Sequence, residues 1–222
     1  GLFNMPNPPE FKKSTVKYRN FVKETFLAPL IVLLKYPSFI YLVGFILTIK
    51  IAGTVMNALG APFLFALGFS KLEFASITKV YGVGLMLFGS FAGGLIVHRK
   101  GTAYCLKLSA LLQILACALF AVLAYKAEYH LNLLIVTLSI ESFSSGLLST
   151  GFISYLSLFC KPPYIASHFT LLYSLGSLSR VLASVIAGYV AAQFGWVVLF
   201  VISSATLVPA LWYLQKTLRD ER

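Results

Sequence analysis

Three ionisable side chains stand inside apolar runs long enough to cross a membrane: Lys50, Glu141 and Arg180. Glu141 is the sharpest case, because within LSIESFSSG it holds the only formal charge between His130 and Lys161. A carboxylate at the centre of a membrane helix costs at least ~2.5 kcal/mol on insertion scales, so it must be offset by a partner, a cavity or a function. Counted from the span midpoints, all three lie within roughly 6 Å of the bilayer centre. Glu141 and Arg180 fall on sequential antiparallel spans at similar depth, which predicts a charge-assisted pair between them. Two readings stay open. The residues line a solute or ion path, or Glu141 and Arg180 form a lock that joins two helices without a part in turnover. Lys50 has no acidic residue in its own helix, so it snorkels, faces water or shares Glu141.

The neighbouring residues suit such a site. Ser177, Arg180, Ser184 and Gly188 recur at helical spacing and make one small, polar stripe. Ser144, Ser145, Gly146, Ser149, Thr150 and Gly151 keep the Glu141 helix slim, so that backbones can approach. His168 opens a later span beside a loop, where a hydrogen-bonded interfacial imidazole is expected ahead of a proton relay.

The elements that must carry these residues follow from composition. Hydrophobic residues make up 59% of the 222-residue chain and charged residues 11%, against roughly 45–50% and 25% in soluble proteins. This is the composition of an all-α integral membrane protein. Residues 1–10 (GLFNMPNPPE) read as a linker. Residues 11–35, with Lys12, Lys13, Lys17, Arg19, Lys23 and Lys35 and with Val22, Phe26 and Leu30 at four-residue spacing, read as a basic amphipathic segment on the membrane face. Six spans are predicted at 38–60, 76–97, 106–125, 132–159, 165–192 and 196–214, giving a transmembrane domain over 37–214 between a cytoplasmic segment 1–36 and a tail 215–222. Since Gly1 is not an initiator Met and no signal peptide precedes the spans, the numbering is expected to begin inside a longer product or after processing.

Thirteen of the 18 Lys and Arg residues fall in segments 1–36, 98–107, 160–164 and 215–222, whereas only Lys71, Lys79 and Lys126 fall on the other side. By the positive-inside rule both termini are cytoplasmic. Trp196 and Trp212 bracket the last span as interfacial anchors. A shift of 94 residues pairs Gly82 with Gly176, Ser90 with Ser184, Gly94 with Gly188 and Gly101 with Gly195. With the alternating topology, these identities predict two inverted three-helix repeats, the construction of secondary transporters.

Other chemistries find no support. The +11 charge balance is sorted by the membrane and forms no nucleic-acid surface. Cys105, Cys117 and Cys160 lie apart in apolar surroundings and suggest neither disulfide nor metal site; no cofactor is expected. His98, His130 and His168 fall at span ends, away from where an intramembrane serine protease needs its base. Asn4, Asn7, Asn20, Asn57 and Asn132 supply no paired Asn-Pro half-helices of the aquaporin kind, and no GxxxxGK[ST] loop is present. A carrier is favoured over an enzyme.

Gly94-Leu-Ile-Val-His98-Arg99-Lys100-Gly101 resembles the Gly-x3-Asp-Arg-x-Gly cytoplasmic-loop signature of the major facilitator superfamily, with His98 in place of Asp. The longer run from Ile140 to Trp196 resembles helices ten and eleven of AmpG-type muropeptide permeases. An intramembrane Glu, a small-residue helix, an Ala-Thr-Gln-Phe/Tyr-Ala-Leu-Leu-Ser stretch and an Arg there are matched by Glu141, ASHFTLLYS and Arg180. His168 stands where Gln is usual, and Lys50 is followed by Gly53 where that family often reads Lys-x-x-Asp. The resemblance covers about residues 38–214. It implies six transmembrane helices forming the C-terminal half of a twelve-helix carrier, in which Lys50, Glu141, Arg180, Ser177 and His168 are candidates for solute binding or coupling. The implied activity is proton-coupled import of anhydro-muropeptide across the bacterial inner membrane. The implied partners are the bilayer, the solute and an N-terminal six-helix half or a second copy. The other expectation is a remnant or assembly subunit that transports nothing itself.

Overall fold

The computed structural model describes residues 28–34 and 39–220, and the described residues are helical with no strand. The basic segment expected over 11–35, with its six cations, lies outside them apart from Ala28–Leu34, which forms a short helix α1. The chain then runs through α2 (Phe39–Ile49), α3 (Ile51–Ala66), α4 (Lys71–Phe74), a π-helical segment (Ala75–Tyr81), α5 (Gly82–Lys100), α6 (Thr102–Lys126), α7 (Leu131–Leu158), α8 (Ile165–Ala205) and α9 (Leu207–Asp220).

Five stretches are long and apolar enough to cross a membrane: Phe39–Ala66, Lys71–Lys100, Thr102–Lys126, Leu131–Leu158 and Ile165–Thr217. The chain is a multi-pass membrane protein. The first four match the expected spans, three of them with longer ends. The last stretch is 53 residues, about 80 Å as straight helix, where two spans are expected.

Packing accounts for the difference. Ser179 donates a hydrogen bond to the Leu47 carbonyl, and the methylene space at Gly176 borders Ile46, so the first part of α8 runs alongside α2 in the same direction. Trp212 meets Tyr41 at 5.9 Å and Phe200 meets Phe63 at 5.0 Å, so residues beyond Trp196 run back against α2 and α3. The course reverses at Gly195, whose φ of 81° and ψ of 173° interrupt α8. Gly101, which joins α5 to α6, has φ 85° and ψ 162°. Only glycine holds this region without steric cost. Regular helical hydrogen-bonding on both sides of Gly195 merges two differently directed helices into one element.

Local sequence explains the ends. Ser70 caps α4 by a reciprocal box in which its Oγ accepts from Glu73 N–H and its own N–H donates to Glu73 Oε2 at 2.8 Å. This cap starts the second span five residues before the expected boundary. His98, Arg99 and Lys100 occupy the last turn of α5, where cations meet the negative end of the helix dipole. Tyr129, in the α6–α7 loop, donates to Glu73 Oε1 at 2.6 Å and lies over Phe69 at 4.4 Å. That hydrogen bond raises the Tyr129 phenol above its ordinary pKa. Replacing Tyr129 with Phe should speed amide exchange across residues 68–74 in hydrogen–deuterium exchange and leave α7 unaffected.

Two apolar clusters hold the bundle. One joins Leu42, Phe45 and Ile46 to Phe152, Tyr155, Phe159, Leu207, Ala210 and Leu214. The other joins Val55, Phe63, Phe120, Leu134, Leu199 and Phe200, with Phe63, Phe120 and Phe200 in mutual ring contact. Large apolar side chains such as Ile40, Phe91 and Val185 face outward, uncovered by protein, as a lipid-facing surface requires.

A polar waist with a cationic cavity

On α7 and α8 the two clusters leave a gap, which holds Glu141, Ser142, Ser144 and Ser145 on α7 and Ser177, Arg180 and Ser184 on α8. Lys50 and Gly53 lie where α2 passes into α3 and line a cavity with Ser145 and Arg180. The ionisable residues therefore share one level of the bundle.

Glu141 is 8% exposed. Its Oε2 accepts from Ser142 Oγ at 3.4 Å and its Oε1 from Ser145 Oγ at 3.3 Å. Behind it, Ser144 Oγ donates to the buried Gln113 Oε1 at 2.8 Å and lies 2.9 Å from the Glu141 carbonyl. In front lies a cavity of about 150 Å³ bordered by Asn57, Thr78, Lys79, Ser142 and Ser145.

Lys50 sits where the helix is interrupted between α2 and α3, with φ −89° and ψ −8°. Its ammonium stands 4.4 Å from the centre of the Phe152 ring, a cation–π contact. Arg180 is exposed and donates from Nη2 to Ser177 Oγ at 3.0 Å. Both cations line one open cavity of about 660 Å³ with Thr54, Asn57, Ser145, Ser149, Ser177 and Ser184. Two like charges on one wall, among hydroxyls and an amide, make a site with positive potential and many hydrogen-bonding groups. It suits an anionic, polar solute.

The expected Glu141–Arg180 pair is not formed. The one ion pair among the described residues joins His130 to Glu128 at 3.4 Å. Glu141 faces the smaller cavity and is held by serines of its own helix, while Arg180 faces the larger one and is held by Ser177. Depth along the bundle put them level, but helix rotation turns them toward different cavities.

His168 also departs from expectation. It is 2% exposed, neither ring nitrogen has a hydrogen-bond partner, and its ring packs edge-on against Tyr164 at 6.0 Å. It is a buried imidazole, and it borders neither of the two cavities at the waist. Ser177 joins Arg180 in the larger cavity. Gly94, His98, Arg99 and Gly101 lie on the last turns of α5 and its terminus. Cys105 and Cys117 are buried and Cys160 partly so.

Lys79 was missed. Counted from a span starting at residue 76 it falls at the outer edge, yet it borders the Glu141 cavity. The signal was the Ser70-x-x-Glu73 capping box, which moves the helix start outward. The π-helical turn that follows re-aims the side chains and is unreadable from residue types.

No family model matches the chain. Among curated proteins it is 29% identical over 172 residues to a Rickettsia prowazekii protein named "Putative transporter AmpG 1", covering 78% of this chain and 39% of that protein. A namesake from Rickettsia bellii is 29% identical over 180 residues, covering 81% and 44%. An AmpG 3 protein of Rickettsia typhi is 27% identical over 210 residues, covering 93% and 46%. The chain thus spans less than half the length of these relatives. Over most of its residues the chain is similar to several proteins named as AmpG transporters, which supports an AmpG-like permease family.

Proposed function

We propose that the chain is a six-span half of a secondary carrier of the major facilitator type, with two inverted three-helix units and both termini in the cytoplasm of a bacterial cell. The matching glycine reversals at Gly101 and Gly195 support the repeat. In this reading the solute is a small anion, specifically an anhydro-muropeptide, carried with protons across the inner membrane. The observation that carries it is the open cavity with Lys50 and Arg180 on its wall and Glu141 in the chamber beside it. The cavity opens to one side, where a second six-helix half, from the same product or another copy, would supply the facing wall. Lys50 and Arg180 hold the carboxylates of the solute, Ser177 and Ser184 orient it, and Glu141 carries the proton.

The test is uptake of radiolabelled anhydro-muropeptide by cells that express the full coding product. Glu141→Gln should still admit solute down its gradient and should lose accumulation driven by an imposed proton gradient. Accumulation at the unaltered level would remove Glu141 from coupling.

A further inference from the structure

Two chambers meet at the waist, and the same three residues, Asn57, Met86 and Ser145, line both. Ser145 is the one among them bonded to an ionisable group: its hydroxyl donates to Glu141 Oε1 at 3.3 Å, one helical turn away. Across from it stands Gly53, where an added Cβ would lie 3.7 Å from Ser145 Oγ, so the hydroxyl is bordered by open space on the Lys50 side. Asn57 already commits an amide N–H to the Gly53 carbonyl at 2.8 Å. The charged and titratable groups around Glu141 are Lys79 from the π-helical segment, Cys117 from α6, and Lys50 and Arg180 in the adjoining chamber; Ser142 donates to the other carboxylate oxygen but lines only the smaller chamber, and Ser144 is turned to Gln113.

We propose that the Ser145 hydroxyl is the positioning residue that transmits the protonation state of Glu141 to the Lys50/Arg180 chamber. This rests on the anion-carrier reading above and adds the element that makes anion affinity depend on the proton. A hydroxyl has one hydrogen and two lone pairs. While Glu141 is ionised, that hydrogen is held by the carboxylate, and Ser145 presents only lone pairs to the larger chamber, which repel an anion. When Glu141 takes a proton from water, its O–H donates to Ser145 Oγ, and the serine hydrogen turns to the chamber to donate to the anion. The O–H formed at Glu141 replaces one broken in a hydronium ion, which is left as water, and no other covalent bond changes. The polarity of one hydrogen bond reverses, and an anion then binds more tightly to the protonated carrier, the sign a symporter requires. By reciprocity the bound anion favours the protonated carboxyl.

The experiment measures binding to the full coding product in lipid nanodiscs between pH 5.5 and 8, with radiolabelled anhydro-muropeptide and, separately, with 13C-acetate read by NMR line broadening. For acetate, the unaltered protein should bind roughly tenfold more tightly at the acid end, the ratio one hydrogen bond to a charged group carries. Glu141→Gln, whose amide can donate to Ser145 permanently, should bind at the acid level at every pH. Ser145→Ala should bind at the alkaline level at every pH, and Ser145→Thr, which keeps the hydroxyl, should restore the slope. A Ser145→Ala protein with the unaltered pH slope overturns the proposal, as does an unaltered protein with no slope. Muropeptide that fails to bind while acetate behaves as described overturns the solute identity and leaves the coupling element standing.

Discussion

Gly146→Val should be the most damaging single substitution in the bundle, with loss of folded protein in mild detergent. An added Cβ at Gly146 would overlap the Met86 carbonyl oxygen and lie 2.7 Å from Ser90 N, both backbone atoms of α5. Gly89, facing it, would overlap the Phe143 carbonyl in the same way. Backbone cannot rotate aside as a side chain can, so α5 and α7 must separate. Overpacking with side-chain relief costs about 1–3 kcal/mol, and separation also breaks the Thr150 Oγ1 hydrogen bond to the Ser90 carbonyl at 3.1 Å. The expected loss is roughly 3 kcal/mol or more. Gly94→Val is the control. Nothing lies within 4 Å of a Cβ at Gly94, on the same helix as Gly89 and one to two turns from it, so its thermal midpoint should stay near that of the unaltered protein. A Gly146 variant as stable as the Gly94 variant would mean that the two helices are not in backbone contact.

Arg180→Gln should have the largest effect on transport. The guanidinium lies on the open face of the larger cavity, oriented by Ser177, so its removal takes away a planar donor group and half the cationic charge of the wall. Hydrogen bonds between charged partners are worth about 1.5–3 kcal/mol, which makes the expected fall in solute affinity roughly ten- to 150-fold. Arg180→Lys should recover only part of it, because an ammonium cannot present the bidentate fork. Lys50→Gln should weaken affinity less, since part of the ammonium's interaction is with the Phe152 ring. Uptake kinetics across a solute series separate these effects: all three substitutions should raise KM. An Arg180→Gln carrier with unaltered KM would place the solute elsewhere.

The helices were legible because hydropathy and length alone select them, and the glycines at 101 and 195 were legible because their spacing repeats. The common level of Lys50, Glu141 and Arg180 was legible too, since depth is a matter of counting residues along spans. Helix rotation was not. Glu141 and Arg180 were expected to pair because they share a level, yet the small residues that bring α5 against α7 turn the carboxylate toward Asn57 and Lys79. Lys50 likewise required the packing of Phe152 beneath it, a contact between residues 102 positions apart in the chain. His168 was misjudged for a related reason: proximity to a loop suggested water, but the surrounding residues close over it and leave both ring nitrogens without partners.

The central claim, that the solute occupies the cavity walled by Lys50 and Arg180, is tested most directly by cysteine protection at Ser184. In a background lacking Cys160, Ser184→Cys should react with a small hydrophilic maleimide through the open cavity, and saturating anhydro-muropeptide should slow that reaction severalfold. Tyr189→Cys, on the outward surface of the same helix, should react at a rate the solute does not alter. Labelling of Ser184→Cys at the same rate with and without solute, in a protein shown to bind it, would contradict the account.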